Sequence, residues 1–440
     1  MKRRRVPFTT ILPFRAVLCV ALGGLALTCA TPEALPGGGG QSNSGTNPYS
    51  QAFTTFESGQ VRPLAFTPNK QLLLATNTPD AKLEVYKVKQ NGDLEHVVSV
   101  PVGLEPVAVA ARTNQEAWVV NHLSDSVSIV KLDGKESYVT RTLLVGDEPR
   151  DIVFAGPNQS KAFITTAHRG QNSPIDPQLS TPGVGRADVW VFDAASGGDS
   201  GSLGGTPLTI LTFFADTPRA LAVTPDGSKV YVAAFNSGNA TASTFAATIP
   251  GLANPLPPFA PSSQLPGFNV NVNAFGEEQP PTSVIVKYNG THWLDENGGI
   301  RDVEMMFIMP DRDVFTINAN ANPPVALNGP TDIYAHVGTI LFNMIVNPVT
   351  GKVYVTNLES NNQQRFEGAN SFAGAVTNPA DSVRGRIAFS RITVLEPAGT
   401  VTPRHLNKHI DYDTCCAPLP NSENARSVAF PMGMAITQNG

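Results

Sequence analysis

The chain is 440 residues long, and most of its reactive potential lies in seven histidines and four cysteines. His122 follows Asn121 after the apolar run Trp118-Val119-Val120, and His168 follows Ala167 after Phe163-Ile164-Thr165-Thr166. If those runs are equivalent strands of adjacent repeats, the two imidazoles stand at matching positions and could share a metal ion or place a proton. The plainer reading, which weighs more here, is that each ring caps a tight loop through a backbone hydrogen bond. A second cluster is His405, His409, Asp411, Cys415 and Cys416. A strand over 403–411 would put His405, His409 and Asp411 on one side, giving an N/O/S set for a metal. That spacing is no recognised zinc signature, and adjacent cysteines in an exported protein read at least as well as a vicinal disulfide.

Other polar residues read as structural. Asn121, Asn236 and Asn357 end similar runs, where an amide bonds its own backbone and forms a turn. Arg150, beside Glu148 and Asp151, and Arg219 lie in connections between repeats, where an arginine and a neighbouring unit's carboxylate would fasten the units together. The Gly-x-Ser-x-Gly elbow, the Gly-x-x-x-x-Gly-Lys loop and His-Glu-x-x-His are all missing. No Cys-x-x-Cys-His is present, so there is no haem motif, and no cofactor is evident beyond the metal considered above. With no convergent acid, base and nucleophile, enzyme status stays open and binding is favoured over catalysis.

The elements that would position these residues are strands. Charged residues are 15% of the chain against about 25% in an average protein, and Gly 38 with Pro 37 exceed average usage. Both shifts favour strands and turns. The phrase Pro63-Leu64-Ala65-Phe66 returns as Pro106-Val107-Ala108-Val109, Pro149-Arg150-Asp151-Ile152-Val153 and Pro218-Arg219-Ala220-Leu221. A period in the low forties with β-branched and aromatic runs between is that of a four-stranded propeller blade. Polar turns such as Thr224-Pro225-Asp226-Gly227 follow each phrase, then strands such as Lys229-Val230-Tyr231-Val232 and Ser126-Val127-Ser128-Ile129-Val130.

With Lys352-Val353-Tyr354-Val355-Thr356-Asn357, these segments resemble the YVTN-repeat β-propeller family over most of residues 61–440. The resemblance implies an all-β propeller of four-stranded blades and says little about activity, because members range from surface proteins to enzymes and electron-transfer partners. Inner strands begin near residues 63, 106, 150, 219, 340 and 427, giving five blades and the start of a sixth. The expectation is a piece of a larger propeller of about seven blades. Long insertions are expected at 168–187, 236–281, 357–385 and 411–426. All leave the face onto which the second-to-third-strand and interblade loops open, which marks that face as the working surface.

The chain opens with Lys2-Arg3-Arg4-Arg5 and an apolar stretch from Ala16 to Ala26, an export signal over residues 1–30. A Gly/Ser/Pro-rich linker over 31–50 leads to the propeller domain, 51–440. Cleavage after Ala30 is expected, with a lipid anchor at Cys29 as the alternative. Its loss removes five basic and no acidic residues, leaving 26 positive against 36 negative charges. Such a balance disfavours nucleic acid. No later apolar run is long enough to span a membrane. The sequence thus predicts a protein of the bacterial periplasm or cell surface that binds a protein, glycan or redox partner. The alternative, by resemblance to propeller lactonases, is a hydrolase with His122 and His168 at the channel mouth.

Overall fold

The computed structural model describes residues 59–245, 283–362, 387–411 and 421–440, apart from 179, 182–183, 200, 296–297 and 306–310. The export signal, the linker, Cys29, Cys415, Cys416 and much of three insertions lie outside the described residues.

The described chain is all-β. Blade one is β1 (Leu64–Phe66), β2 (Leu72–Asn77), β3 (Lys82–Val88) and β4 (Leu94–Pro101), paired in that order. Blade two is β5 (Pro106–Ala111), β6 (Glu116–Asn121), β7 (Ser126–Lys131) and β8 (Tyr138–Leu144). Blade three is β9 (Ile152–Ala155), β10 (Lys161–Ala167), β11 (Ala187–Asp193) and β12 (Thr209–Phe213). Blade four begins with β13 (Asp216–Val223) and β14 (Lys229–Asn236) and is then interrupted by a separate sheet, β15 (Thr241–Phe245), β16 (Ser283–Tyr288) and β17 (Trp293–Leu294). It resumes with β18 (Val314–Asn318), and its outer strand is split into β19 (Val325–Leu327) and β20 (Ile333–Tyr334). The insertion here therefore runs on to residue 313, beyond the expected boundary at 281. Blade five is β21 (Ile340–Val346), β22 (Val353–Ser360), β23 (Ala388–Leu395) and β24 (Val401–His405).

The alternation of side chains along these strands fills the junctions between blades. Leu74, Leu83 and Val85 meet Val109, Val119 and Val130 between blades one and two. Trp118 is fully buried against Ile152, Phe154 and Ile164 of blade three, with its ring edge-on to Phe154 at 5.5 Å. Similar clusters join blades three to four and four to five. Burying such side chains is worth about 1.5–3 kcal/mol each. The five inner strands surround an axial cavity of about 370 Å³, with Ala65, Val109, Ile152, Leu221 and Met344 in its wall.

The turns follow their residue types. In Thr224-Pro225-Asp226-Gly227, the Asp226 carboxylate accepts the Thr224 hydroxyl at 2.6 Å and the Ser228 N–H at 3.1 Å, while Gly227 takes φ 72°. These bonds, Thr224 first, hold the Asp226 carboxyl down to about 2. Residues 437–440 repeat this turn position for position: Thr437 donates to Asn439 at 2.6 Å and Gly440 N–H to Thr437 at 3.1 Å. Met434, Ala435 and Ile436 lie over the outer face of blade five, across a 470 Å³ gap from Tyr354, Ile392 and Val394. Among the described residues this segment has the turn of an inner strand but no ladder partner.

Candidate functional site

The inner strands of blades two, four and five break their ladders near the start. In blade two Val107 is the extra residue between the pairs Pro106↔Asn121 and Ala108↔Val120. In blade four it is Arg219 and in blade five Phe342. Blade three does the same with Arg150 and Asp151, which both bond the backbone of Thr165. In blade one Pro63 accepts the Thr76 N–H, so Arg62 takes the equivalent place. A bulge re-aims the extra side chain, and here it yields a ring at one mouth of the channel: Arg62, Val107, Arg150, Arg219 and Phe342. The Pro63 phrase is thus out of step with the others, since Pro63 corresponds to Ala108 and not to Pro106.

The ring is laced by polar contacts. Arg62 reaches across the axis and donates from Nε and one Nη to the two oxygens of Asp151, both at 3.1 Å, and to the Leu221 carbonyl at 2.8 Å. Asp151 is fully buried and also accepts the N–H groups of Ile152 and Leu221. Its charge raises the affinity of Arg62 for its proton, outweighing burial. Arg150 pairs with Glu148 of its own connection at 3.1 Å, and Arg169 bridges Asp147 and Glu148. Burial alone would raise the Glu148 carboxyl, but Arg150 and Arg169 pull it below its ordinary value.

Arg219 is different. It is buried, 4% exposed, and donates to the carbonyls of Phe342 and Gln60. No described carboxylate pairs with it. Its guanidinium carbon lies 5.0 Å from the centre of the Phe235 ring, and that of Arg150 lies 5.5 Å from the same ring. Burial first, and the Arg150 charge second, bring the Arg219 guanidinium down to about 10. Among the described residues, the expected pairing of Arg150 and Arg219 with carboxylates of neighbouring blades does not occur. The interblade pair there is Arg62 with Asp151, because Arg62 extends over the channel to blades three and four.

The two histidines do not share a site. The Gly103, Gly146 and Gly338 backbones lie against Asn121, Thr166 and Asn357, which makes those three residues equivalent. His122 therefore matches Ala167, and His168 matches Leu123. A slip of one residue sends the side chain to the other face of the strand. His122 donates from Nδ1 to the Pro149 carbonyl at 3.1 Å, as Thr78 donates to Pro106 at 2.8 Å one blade earlier. Burial, then the Arg150 charge, lowers its proton affinity. His168 is buried inside blade three, its Nδ1 2.7 Å from Asp188, whose other oxygen accepts the Thr212 hydroxyl at 2.6 Å. Burial raises the Asp188 carboxyl despite these bonds. Asp188 and Thr212 sit on the Nδ1 side, and the buried Nε2 has no partner among the described residues. A nucleophile relay needs the hydroxyl at Nε2, so the trio fastens β10, β11 and β12 together.

Asn121 and Asn357 are buried ties between strands rather than turn-formers. Asn121 donates to Ser126 and Ser128, and Asn357 to the Val355 carbonyl and Thr393. Asn236 is not their counterpart, because Ala234 holds that register position. In the last blade β24 ends at His405, so no strand carries His405, His409 and Asp411 on one side. His405 accepts the Asn407 N–H at 2.9 Å and His409 contacts the Glu423 carbonyl at 3.0 Å. Among the described residues no group of three His, Cys, Asp or Glu side chains could hold a metal ion.

A buried acid lies between blades four and five. Asp313 accepts the N–H groups of Val337 at 2.6 Å and Gly338 at 3.3 Å, and the Ser237 hydroxyl. Burial, and then the nearby Asp311, which also pairs with His336, drive its carboxyl well above the usual range. Nothing in the sequence marks it, since the spacing Asp311-x-Asp313 reads as a solvated turn.

No family profile and no curated protein sequence matches the chain. Among solved structures it is similar to hydrazine synthase of Kuenenia stuttgartiensis, at 14% identity and a TM-score of 0.43, over 82% of this chain and 70% of that one. It is similar to a putative 6-phosphogluconolactonase of Bacteroides uniformis, at 14% identity and 0.37, over 77% and 69%. It is also similar to a gluconolactonase of Xanthomonas campestris, at 11% identity and 0.33, over 79% and 76%.

Proposed function

We propose that this chain is an exported β-propeller that binds a partner on the face bearing the channel mouth, without chemistry of its own there. The observation that carries the reading is the distribution of connections. The long segments after β10, β14, β22 and β24 all leave the face where the bulged ring lies, while on the opposite face the connections are short turns apart from residues 194–208 between β11 and β12. Long connections on a rigid scaffold are where recognition residues are placed. Of the two histidines, His168 is sealed inside a blade, and His122 is held through Nδ1 by the Pro149 carbonyl, a bond that leaves its Nε2 as the one imidazole nitrogen of this pair to be tested as a base.

The test is photo-cross-linking of the protein in the exporting cell. A photoreactive residue would replace Leu123 or Ile175 on the loop-bearing face, or Val349 on the opposite one, all well exposed. The reading expects one discrete adduct from Leu123 and Ile175 and none from Val349. Equal labelling from both faces, or labelling from Val349 alone, overturns it.

A further inference from the structure

The ring at the channel mouth carries three guanidinium groups, and their charges can be counted. Arg62 is neutralised by Asp151 and Arg150 by Glu148. Arg219 has only carbonyl partners among the described residues, although it is buried. A buried cation without a counterion is costly, and a second cation beside it raises the cost. Donor positions are also left over among the described residues: the buried Arg150 Nε–H bonds nothing, and the bonds that Arg219 gives use only its Nε and one Nη. Both guanidinium groups pack on one aromatic ring, Phe235, at 5.5 and 5.0 Å from its centre. Phe342 packs against Phe235 at 6.2 Å and Phe430 against Phe342 at 6.3 Å, so the charge is bordered by an apolar rim. Phe430 and Met432 of that rim are exposed.

We propose that Arg219 and Arg150 bind a monocarboxylate whose apolar body rests on Phe342 and Phe430. Among the described residues one positive charge of the ring is uncompensated, which suits a monoanion, whereas a dianion such as phosphate would face Asp151 and Glu148 with a charge to spare. A carboxylate also matches the planar fork of a guanidinium. The site deepens the binding reading by naming the group recognised at the centre of that face, but it rests on the ring alone and stands whichever partner the outer loops hold.

The experiment is titration calorimetry on the whole protein with benzoate, the neutral isostere benzamide and inorganic phosphate, for wild type, R150Q and R219Q. Benzoate should bind wild type, benzamide should bind at least tenfold more weakly, and phosphate more weakly than benzoate. Each variant should lose tenfold or more of the benzoate affinity. If R219Q does not fold, R150Q and the benzoate-to-benzamide ratio decide. No benzoate binding, equal binding of benzoate and benzamide, or unchanged affinity in R150Q sinks the site. Loss of benzoate binding with the Leu123 and Ile175 adducts intact removes the site and leaves the face as an interface. Benzoate binding without those adducts does the reverse.

Discussion

Replacing Asp151 by Asn tests whether the ring is held by the pair that crosses it. Asp151 is fully buried and receives two N–H bonds from Arg62 and one each from Ile152 and Leu221. Asparagine keeps one carbonyl oxygen for the backbone N–H groups and turns an NH₂ towards the guanidinium. Two charge-assisted bonds are lost, at about 1.5–3 kcal/mol each. The Arg62 side chain is 28% exposed, so water recovers part of that. Leaving one partner of a buried pair unmatched costs about 3–5 kcal/mol, and the partial exposure puts the expectation near the lower end, about 3 kcal/mol. The assay is urea unfolding followed by tryptophan fluorescence, since Trp118 and Trp190 lie in the blade two to three junction. R62M and the double variant complete a cycle, in which a coupling of about 2 kcal/mol is expected. A cost below 1 kcal/mol for D151N, with coupling under 0.5 kcal/mol, would refute the assignment of this pair as the clasp of the ring.

Two further outcomes follow from packing and from burial. Gly103→Ala places a Cβ 2.5 Å from Asn121 Nδ2 and from Ser124 Oγ, so overpacking should cost about 1–3 kcal/mol, while Gly433→Ala meets nothing and should be neutral; equal urea midpoints for the two would contradict the contact. Asp313 has a folded proton affinity above its unfolded one, so its contribution is complete below about pH 4 and is lost as pH rises towards the folded value. D313N should therefore gain stability relative to wild type between pH 4 and pH 8, and a difference in urea midpoint that does not change with pH would show that the carboxyl is not held protonated.

The architecture was legible because blade strands alternate and their turns carry fixed residue types. Thr224-Pro225-Asp226-Gly227 and Lys229-Val230-Tyr231-Val232 specify a turn and a strand by local chemistry alone, and both are there. The site was less legible because it depends on register. Asn121 and Ala167 look like strand ends of the same rank, yet the bulges place Asn121 opposite Thr166, and one residue decides whether an imidazole faces the mouth or the blade interior. Period-two reasoning has no defence against an extra residue in a partner strand. The same cause hid Arg62: aligned on Pro63 it falls outside the repeat, but aligned on the ladder it takes the ring position of Arg150 and Arg219. The split outer strand of blade four and the residues of its insertion were out of reach for a different reason, since a run such as Ser283–Tyr288 reads equally well as a blade strand or as part of an added sheet.

The bulges explain how one ring can carry both cohesion and recognition. An extra residue is free of the ladder, so its side chain can change without altering the pairs on either side. At that position the five blades hold Arg, Val, Arg, Arg and Phe, whereas the ladder positions two residues further along the strand hold Leu64, Val109, Ile152, Leu221 and Met344, all apolar. Four of these, Val109, Ile152, Leu221 and Met344, are buried and must fit their neighbours, while Leu64 is 56% exposed. The three guanidinium groups of the ring thus sit where the ladder does not constrain them, with Asp151 at the neighbouring position that still pairs with Thr165. There Arg62 is spent on closing the ring through Asp151, which leaves Arg219, with Arg150 beside it, as the guanidinium that an external carboxylate can complete.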